Sequence, residues 1–300
     1  MSTMLQLVQM VTGELGLAVP TSVAGNTNAD TIQTLALMNA LGNELVPKFN
    51  WQALDTEYRF TTQFANITGT TTAGYPVITG IVSTAGIAAN TWMVTGAGIP
   101  QDAYVQSVDS TSQITLSQNA TASGTVSLVA AQTKYTMPAD YDRPIDRTQW
   151  DKSKHWEMLG PESPQQWQWL KSGYISTGPR VRWRILGGYM QIWPALSTNE
   201  YLGIEYISKY WVTDAGGNAK NSFTVDTDTC IFSDRLMVLG TKLKYFEIKG
   251  FDTTAIKRDF DEEFDLRTGN EQGAPTLSMA PRLSQVLVGI NNIPDSGYGQ

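Results

Sequence analysis

The chain has 300 residues, room for about two domains; 41% are hydrophobic and only 16% charged, against about 25% charged in an average globular protein. Such a chain can bury a core, so wholesale disorder is excluded, and the thin charge suggests that much of its surface faces other protein. The 21 basic and 28 acidic residues leave −7, which argues against a nucleic-acid grip, because that needs a basic footprint to displace counterions.

The first segment, to about Thr62, reads as helical. Leu5, Val8, Val11 and Leu15 recur at helical spacing until Gly16 and Pro20. Asn28 is placed to cap a second helix, in which Ile32, Leu35, Met38, Leu41 and Leu45 form the apolar stripe that stops at Pro47. The expected arrangement is a helical hairpin with those faces packed together.

Between Arg59 and Lys134 there is no Lys or Arg, and the acids are Asp102 and Asp109 alone. Short β-prone runs at Tyr75–Thr79, Thr91–Thr95 and Gln113–Ser117 are separated by Ala73-Gly74, Gly96-Ala-Gly98 and Asp109-Ser110. Such turn-punctuated runs predict a small β-sandwich or barrel, inserted into a chain of different composition.

From Lys134 onward charges and aromatics return. Ser163-Pro-Gln-Gln166 has the residues of a helix start, with Gln166 expected to reach back to the cap. Arg180–Ile185 alternates as a half-buried strand does, Gly187-Gly188 reads as a hairpin turn into Tyr189–Trp193, and Leu202–Ile207 gives a third strand. Two helices are expected at about Asp228–Ile248 and Thr253–Arg267. Residues 269–300 have neither helical period nor much charge around one apolar island, Leu283–Ile290. Ordering a residue costs about 1–2 kcal/mol, so a segment with no core of its own is expected to dock on a partner.

Chemical signals are sparse. Gly96-Ala-Gly98-Ile-Pro100 lacks the third glycine of a dinucleotide loop, and Pro100 stands where a helix should open. His155 is the one histidine and Cys230 the one cysteine, which excludes an internal disulfide and a His-rich metal site; Cys230 is expected in the core. Arg180, Arg182 and Arg184 line one strand face, for phosphate or, more simply, for solvent or a neighbouring subunit. Glu14, Glu44, Asp55 and Glu57 could supply the paired carboxylates of a glycosidase, though any chain of this length offers such pairs. No constellation resembles an active site; no catalytic, cofactor or metal residue is assigned, and no enzyme activity is expected. No Lys or Arg precedes Lys48, and no run approaches the roughly 18 apolar residues of a membrane span. The expectation is a protein made in the cytosol, without membrane contact.

Several segments carry a resemblance. They are Ala24–Ile32 with Asn39–Leu45, Tyr135-Thr-Met-Pro-Ala-Asp-Tyr-Asp-Arg143, Trp150-Asp151, Gly160-Pro-Glu-Ser-Pro-Gln-Gln-Trp167, the Gly187-Gly188 hairpin, Glu205-Tyr-Ile-Ser208 and Leu239-Gly-Thr-Lys-Leu243. Together they resemble the head-to-tail adaptor (tail accessory, head-completion) proteins of tailed bacteriophages, over roughly residues 1–62 and 133–268. The segment 66–130 is similar to Ig-like β modules of phage structural proteins. The resemblance implies an α+β fold with a helical adaptor core and small antiparallel sheet (1–62 and 133–268), an inserted all-β, Ig-like domain (63–132) and an extended C-terminal tail (269–300).

In function it implies a structural virion protein at the head–tail junction, assembled in the bacterial host cytoplasm. Its partners would be other copies in a ring, usually of twelve, the portal protein and a downstream tail or nozzle protein, while genomic DNA passes through without sequence-specific binding. No cofactor is implied. In that family a C-terminal extension commonly grips the portal, so Leu283, Val286, Leu287, Val288 and Ile290 are the expected portal-docking residues. In an extended tail Val286, Val288 and Ile290 share a face, suited to adding a strand to a partner's sheet edge. The alternatives are a virion-associated peptidoglycan hydrolase using Glu14 or Glu44, and a neck or receptor-binding decoration acting through the β insert.

Overall fold

A computed structural model describes residues 2–172 and 180–272. They fall into two compact units, one of residues 2–56, 139–144 and 206–272, the other of residues 57–138, 145–172 and 180–205. Helix and strand residues are about equal in number, and strands form five sheets among the described residues. The expected helical core with one small sheet is therefore corrected to a mixed α+β architecture. The expectation followed apolar stripes of helical period. Strands as short as Trp150–Asp151, Trp156–Glu157 and Val212–Thr213 are too brief to show any period.

In the first unit α1 (Met4–Glu14) opens with a reciprocal cap. Gln6 N–H donates to Thr3 Oγ1 at 3.3 Å and Thr3 N–H to Gln6 Oε1 at 3.0 Å, which satisfies two otherwise orphaned donors. Its buried face is Met4, Leu7, Val8 and Val11, with Leu5 and Leu15 only half-buried. Each fully buried side chain of this size contributes about 1.5–3 kcal/mol. α2 (Ala29–Lys48) is capped by Asn28 as its sequence predicts and runs through Pro47 to Lys48. Its core face is Thr31, Thr34, Leu37, Met38, Leu41 and Leu45, while Ile32 of the expected stripe is exposed.

The threonines explain that rotation. Thr34 Oγ1 donates to the Asp30 carbonyl at 2.8 Å, and Thr12 and Thr241 do the same to Val8 and Met237 at 2.9 and 2.7 Å. A threonine bonded back to its own helix can be buried with no donor unmet. The space these small side chains leave lets helices approach closely. A Cβ added at Gly42 would lie 2.1 Å from the Trp211 ring, and one at Gly240 on α4 (Asp234–Lys249) 2.6 Å from Leu41. α4 is capped by Ser233 at its start and by Gly250 at its end, where a φ of +73° suits glycine. α5 (Thr254–Gln272) follows. A small sheet of Ala219–Lys220, Val212–Thr213 and Thr229–Cys230 completes this unit, and Cys230 is buried there with its thiol pushed up to about 12 by burial.

The second unit contains a β module. Phe64–Thr71, Gly124–Gln132 and Trp92–Gly96 pair in one three-stranded sheet; Val77–Ile78, Gln113–Leu116 and Val105–Ser110 pair in another. Both contribute to one core that includes Ile67, Ile78, Trp92, Val105, Ile114 and Leu128. Three strands per sheet fall short of the roughly seven-stranded immunoglobulin plan, so the Ig-like expectation is corrected as well.

Beside the module in sequence, Arg182–Leu186 and Tyr189–Trp193 form the expected hairpin. Gly187 and Gly188 both have positive φ (+62° and +78°), the conformation a two-residue type I′ turn requires. α3 (Pro164–Lys171) is capped by Ser163, to which the Gln166 N–H donates at 3.2 Å; the Gln166 side chain makes no return bond. Trp167 and Leu170 of α3 pack with Met93 of the module and Trp193 of the hairpin.

Candidate functional site

The nominated docking residues Leu283, Val286, Leu287, Val288 and Ile290 lie outside the described residues, as does the rest of the tail beyond Gln272. The other sequence segments singled out above are described. The two most distinctive meet in the first unit. Asp140, from Tyr135–Arg143, accepts the Tyr206 hydroxyl and the Ser208 hydroxyl at 2.8 Å each, and its carbonyl accepts the Lys209 N–H at 2.7 Å. The Tyr141 and Tyr206 rings lie 5.6 Å apart. Arg143 reaches the Phe49 carbonyl at 3.2 Å and Asn50 Oδ1 at 2.9 Å. Burial, aided by the Asp140 hydrogen bond and charge, holds the Tyr206 hydroxyl protonated well above its ordinary range. These residues join chain segments far apart in sequence, which is the work of a frame.

Three of the four candidate carboxylates, Glu14, Glu44 and Glu57, are occupied by cations. Glu14 pairs with Lys242 at 2.7 Å and Arg235 at 3.3 Å, and Glu44 with Lys244 at 2.6 Å. Glu57 is bound by Arg59 and Lys152, whose hydrogen bonds hold its carboxyl down at about 2. Asp55 is raised, by burial first and then by Glu271. A carboxylate pair that sequence reading missed lies in the second unit. Asp151 and Glu200 are both almost fully buried, and their acidities diverge. Asp151 is raised by burial and by the charge of Glu200. For Glu200, burial is outweighed by hydrogen bonds from Lys154 and Thr198. Diverging carboxylates can mark an acid–base pair. Here, however, Asp151 accepts the Ser153 and Lys154 N–H groups at 3.0 and 3.1 Å, and Glu200 accepts Lys154 at 2.7 Å and Thr198 at 2.6 Å. Both therefore hold turns.

Arg182 is tied to Glu162, and Arg184 is half-buried opposite Gln191. Arg180 precedes the strand rather than belonging to it, because pairing starts at Arg182. His155 is exposed on a turn with φ +56°. Gly96-Ala-Gly98 closes the end of a module strand, with φ +74° at Gly98.

What the fold reveals beyond these residues is a division of charge. The first unit holds 18 acidic and 11 basic residues, and the second holds 9 of each; the net charge thus resides in the first. α5 alone has six acids against three bases, with Asp261, Glu262 and Asp265 exposed. The carboxyls of Asp226, Asp228 and Asp234 are held below their ordinary range. For each, burial is outweighed by hydrogen bonds, from Ser22, Ala24 and Val23 to Asp226, from Lys220, Thr224 and Val225 to Asp228, and from Ser2 to Asp234. Large apolar side chains also stand in solvent on both units: Ile32, Ile248, Phe251 and Leu266 on the first, Val82 and Trp169 on the second. No helix among the described residues is long and apolar enough to cross a membrane. No protein-family model matches the chain, and no curated protein matches it.

Proposed function

We propose that this chain is a structural virion protein, a head-to-tail connector of a tailed bacteriophage. It closes into a ring, dodecameric by the resemblance, between portal and tail, and lines the DNA exit channel. The observation that carries the reading is the division of charge, with the whole −7 in one compact unit and none in the other. A ring that turns the acidic unit inward presents like charge to DNA, so the polyanion slides without sticking. The neutral unit is then free to contact protein. Exposed apolar residues on both units suit a subunit with two lateral neighbours, and Asp140 ties the Tyr135–Arg143 segment to Tyr206 and Ser208. The proposed portal contact is the tail beyond Gln272.

Cryo-electron microscopy of the particle's tail vertex, reconstructed without imposed symmetry, tests this. A closed ring of this chain beneath the portal is the expected result; finding the chain elsewhere in the particle, or as single copies, overturns it. Reversing three exposed charges, Asp261→Lys, Glu262→Lys and Asp265→Lys together, should leave the ring intact and give it measurable affinity for duplex DNA in a low-salt gel shift. A chain ending at Gln272 should fold, form rings and fail to join the portal.

A further inference from the structure

We propose that the second unit holds a binding pocket for a sugar acid, whose carboxylate sits between Lys134 and Lys171. The inference is independent of the connector reading. A cavity of about 180 Å³ has Asp102, Tyr104, Lys134, Gln168, Lys171 and Gln191 in its lining, with Asn90 and apolar residues such as Trp92 and Leu186. The module, β strand Lys134–Thr136, α3 and the Tyr189–Trp193 strand all contribute to it.

The charges there are unbalanced. Lys171 Nζ lies 2.8 Å from Asp102 Oδ1 and 5.9 Å from the centre of the Trp167 ring. Lys134 Nζ sits 5.6 Å from the centre of the Tyr104 ring and has no carboxylate partner among the described residues. Two ammonium groups thus face one carboxylate, leaving a single positive charge in a partly desolvated space. Burial and the neighbouring Lys171 both lower the Lys134 pKa, and Asp102 only partly opposes them. One added anion would relieve the repulsion between the two ammonium groups.

The uncharged lining selects among anions. Gln191 is only 7% exposed, and neither its side-chain amide nor those of the exposed Asn90 and Gln168 bonds to another described residue. A side-chain amide both donates and accepts, which matches hydroxyl groups. A bare phosphate needs donors alone and carries more than one charge near neutrality. The cavity is smaller than the roughly 300–1,000 Å³ that encloses a drug-sized ligand, so it suits one sugar ring. The exposed Tyr104 and Leu186 offer an apolar rim to the ring's C–H face.

Calorimetric titration of the full chain with glucuronate, glucose and inorganic phosphate tests the assignment. Glucuronate should bind saturably and at least tenfold more tightly than glucose. Lys134→Gln should weaken it at least tenfold. Asp102→Asn, which removes the competing carboxylate at a position whose φ of +59° asparagine tolerates, should tighten it. That gain cannot arise from a misfolded variant. Absence of saturable glucuronate binding, unchanged affinity in Lys134→Gln, or tighter binding of phosphate than of glucuronate overturns the proposal.

Discussion

The first unit and the β module of the second fasten loops by different chemistry. In the first, carboxylates do it. Asp226 accepts the Ser22 hydroxyl at 2.7 Å and the Val23 and Ala24 N–H groups at 2.9 and 2.7 Å. Asp228, fully buried, accepts the Thr224 and Val225 N–H groups at 2.7 and 2.8 Å and pairs with Lys220 at 2.7 Å. In the β module of the second unit, hydroxyls do the same work. Thr71 Oγ1 donates to the Ala122 carbonyl at 2.9 Å, Thr84 Oγ1 to the Ser110 carbonyl at 2.8 Å, and Ser123 Oγ accepts the Ala73 N–H at 2.8 Å. A carboxylate makes stronger bonds but ties stability to pH. A hydroxyl gives less and is indifferent to pH. The difference accounts for a module that folds with almost no charge.

The sharpest way to break the first unit is Trp211→Ala. Trp211 is fully buried, faces Gly42, donates to Asn43 Oδ1 at 2.9 Å and packs edge-on to Phe223. Its loss should cost about 4 kcal/mol in urea denaturation, with amide protection in the module unchanged. Asp228→Asn should cost about 3 kcal/mol, since it removes the charge that compensates Lys220 and strengthens the N–H bonds converging on Oδ2. The wild-type carboxyl is lowered in the fold. Its contribution is therefore present above the ordinary value of 3.8 and lost as pH falls through the folded value, so the wild-type advantage over Asp228→Asn should shrink in acid melts. The matching change in the module, Thr71→Val, should cost only about 1 kcal/mol, one neutral hydrogen bond, with no pH dependence in the same melts. The smallest effect should be Glu57→Gln. Its ion pairs are partly solvent-exposed, so the loss at neutral pH should stay below about 1 kcal/mol. It should shrink as pH falls below the ordinary value of 4.5, because the lowered carboxyl stabilises only while ionised.

Local signals were legible in the sequence and distant ones were not. Asn28, Ser163 and the Gly187-Gly188 turn stand where their residue types place them, because a cap or a tight turn is decided within four residues. The α2 core face departs from the apolar stripe because Ile32 is more apolar than Thr31 or Thr34, and a threonine's bond to its own helix is invisible to a hydropathy count. The Asp140 network joins residues 66 and 68 positions apart. Lys134, Lys171 and Asp102 converge through pairings that no period or motif announces. The cationic cavity thus emerges only in three dimensions, and the tail residues nominated for docking lie outside the described residues.

The uncharged module has a practical consequence for anyone mapping neighbours of this protein. Trypsin finds no cleavage site between Arg59 and Lys134, so residues 60–134 leave a digest as a single 75-residue peptide. Amine-reactive cross-linkers can attach within that stretch at Lys134 alone, and that side chain is half-buried. A proximity map built on lysines would therefore leave the whole sandwich blank even where a neighbour presses against it. Chymotryptic digestion combined with photo-activated or carboxylate-directed reagents would fill that blank, through its tyrosines and through Asp102 and Asp109.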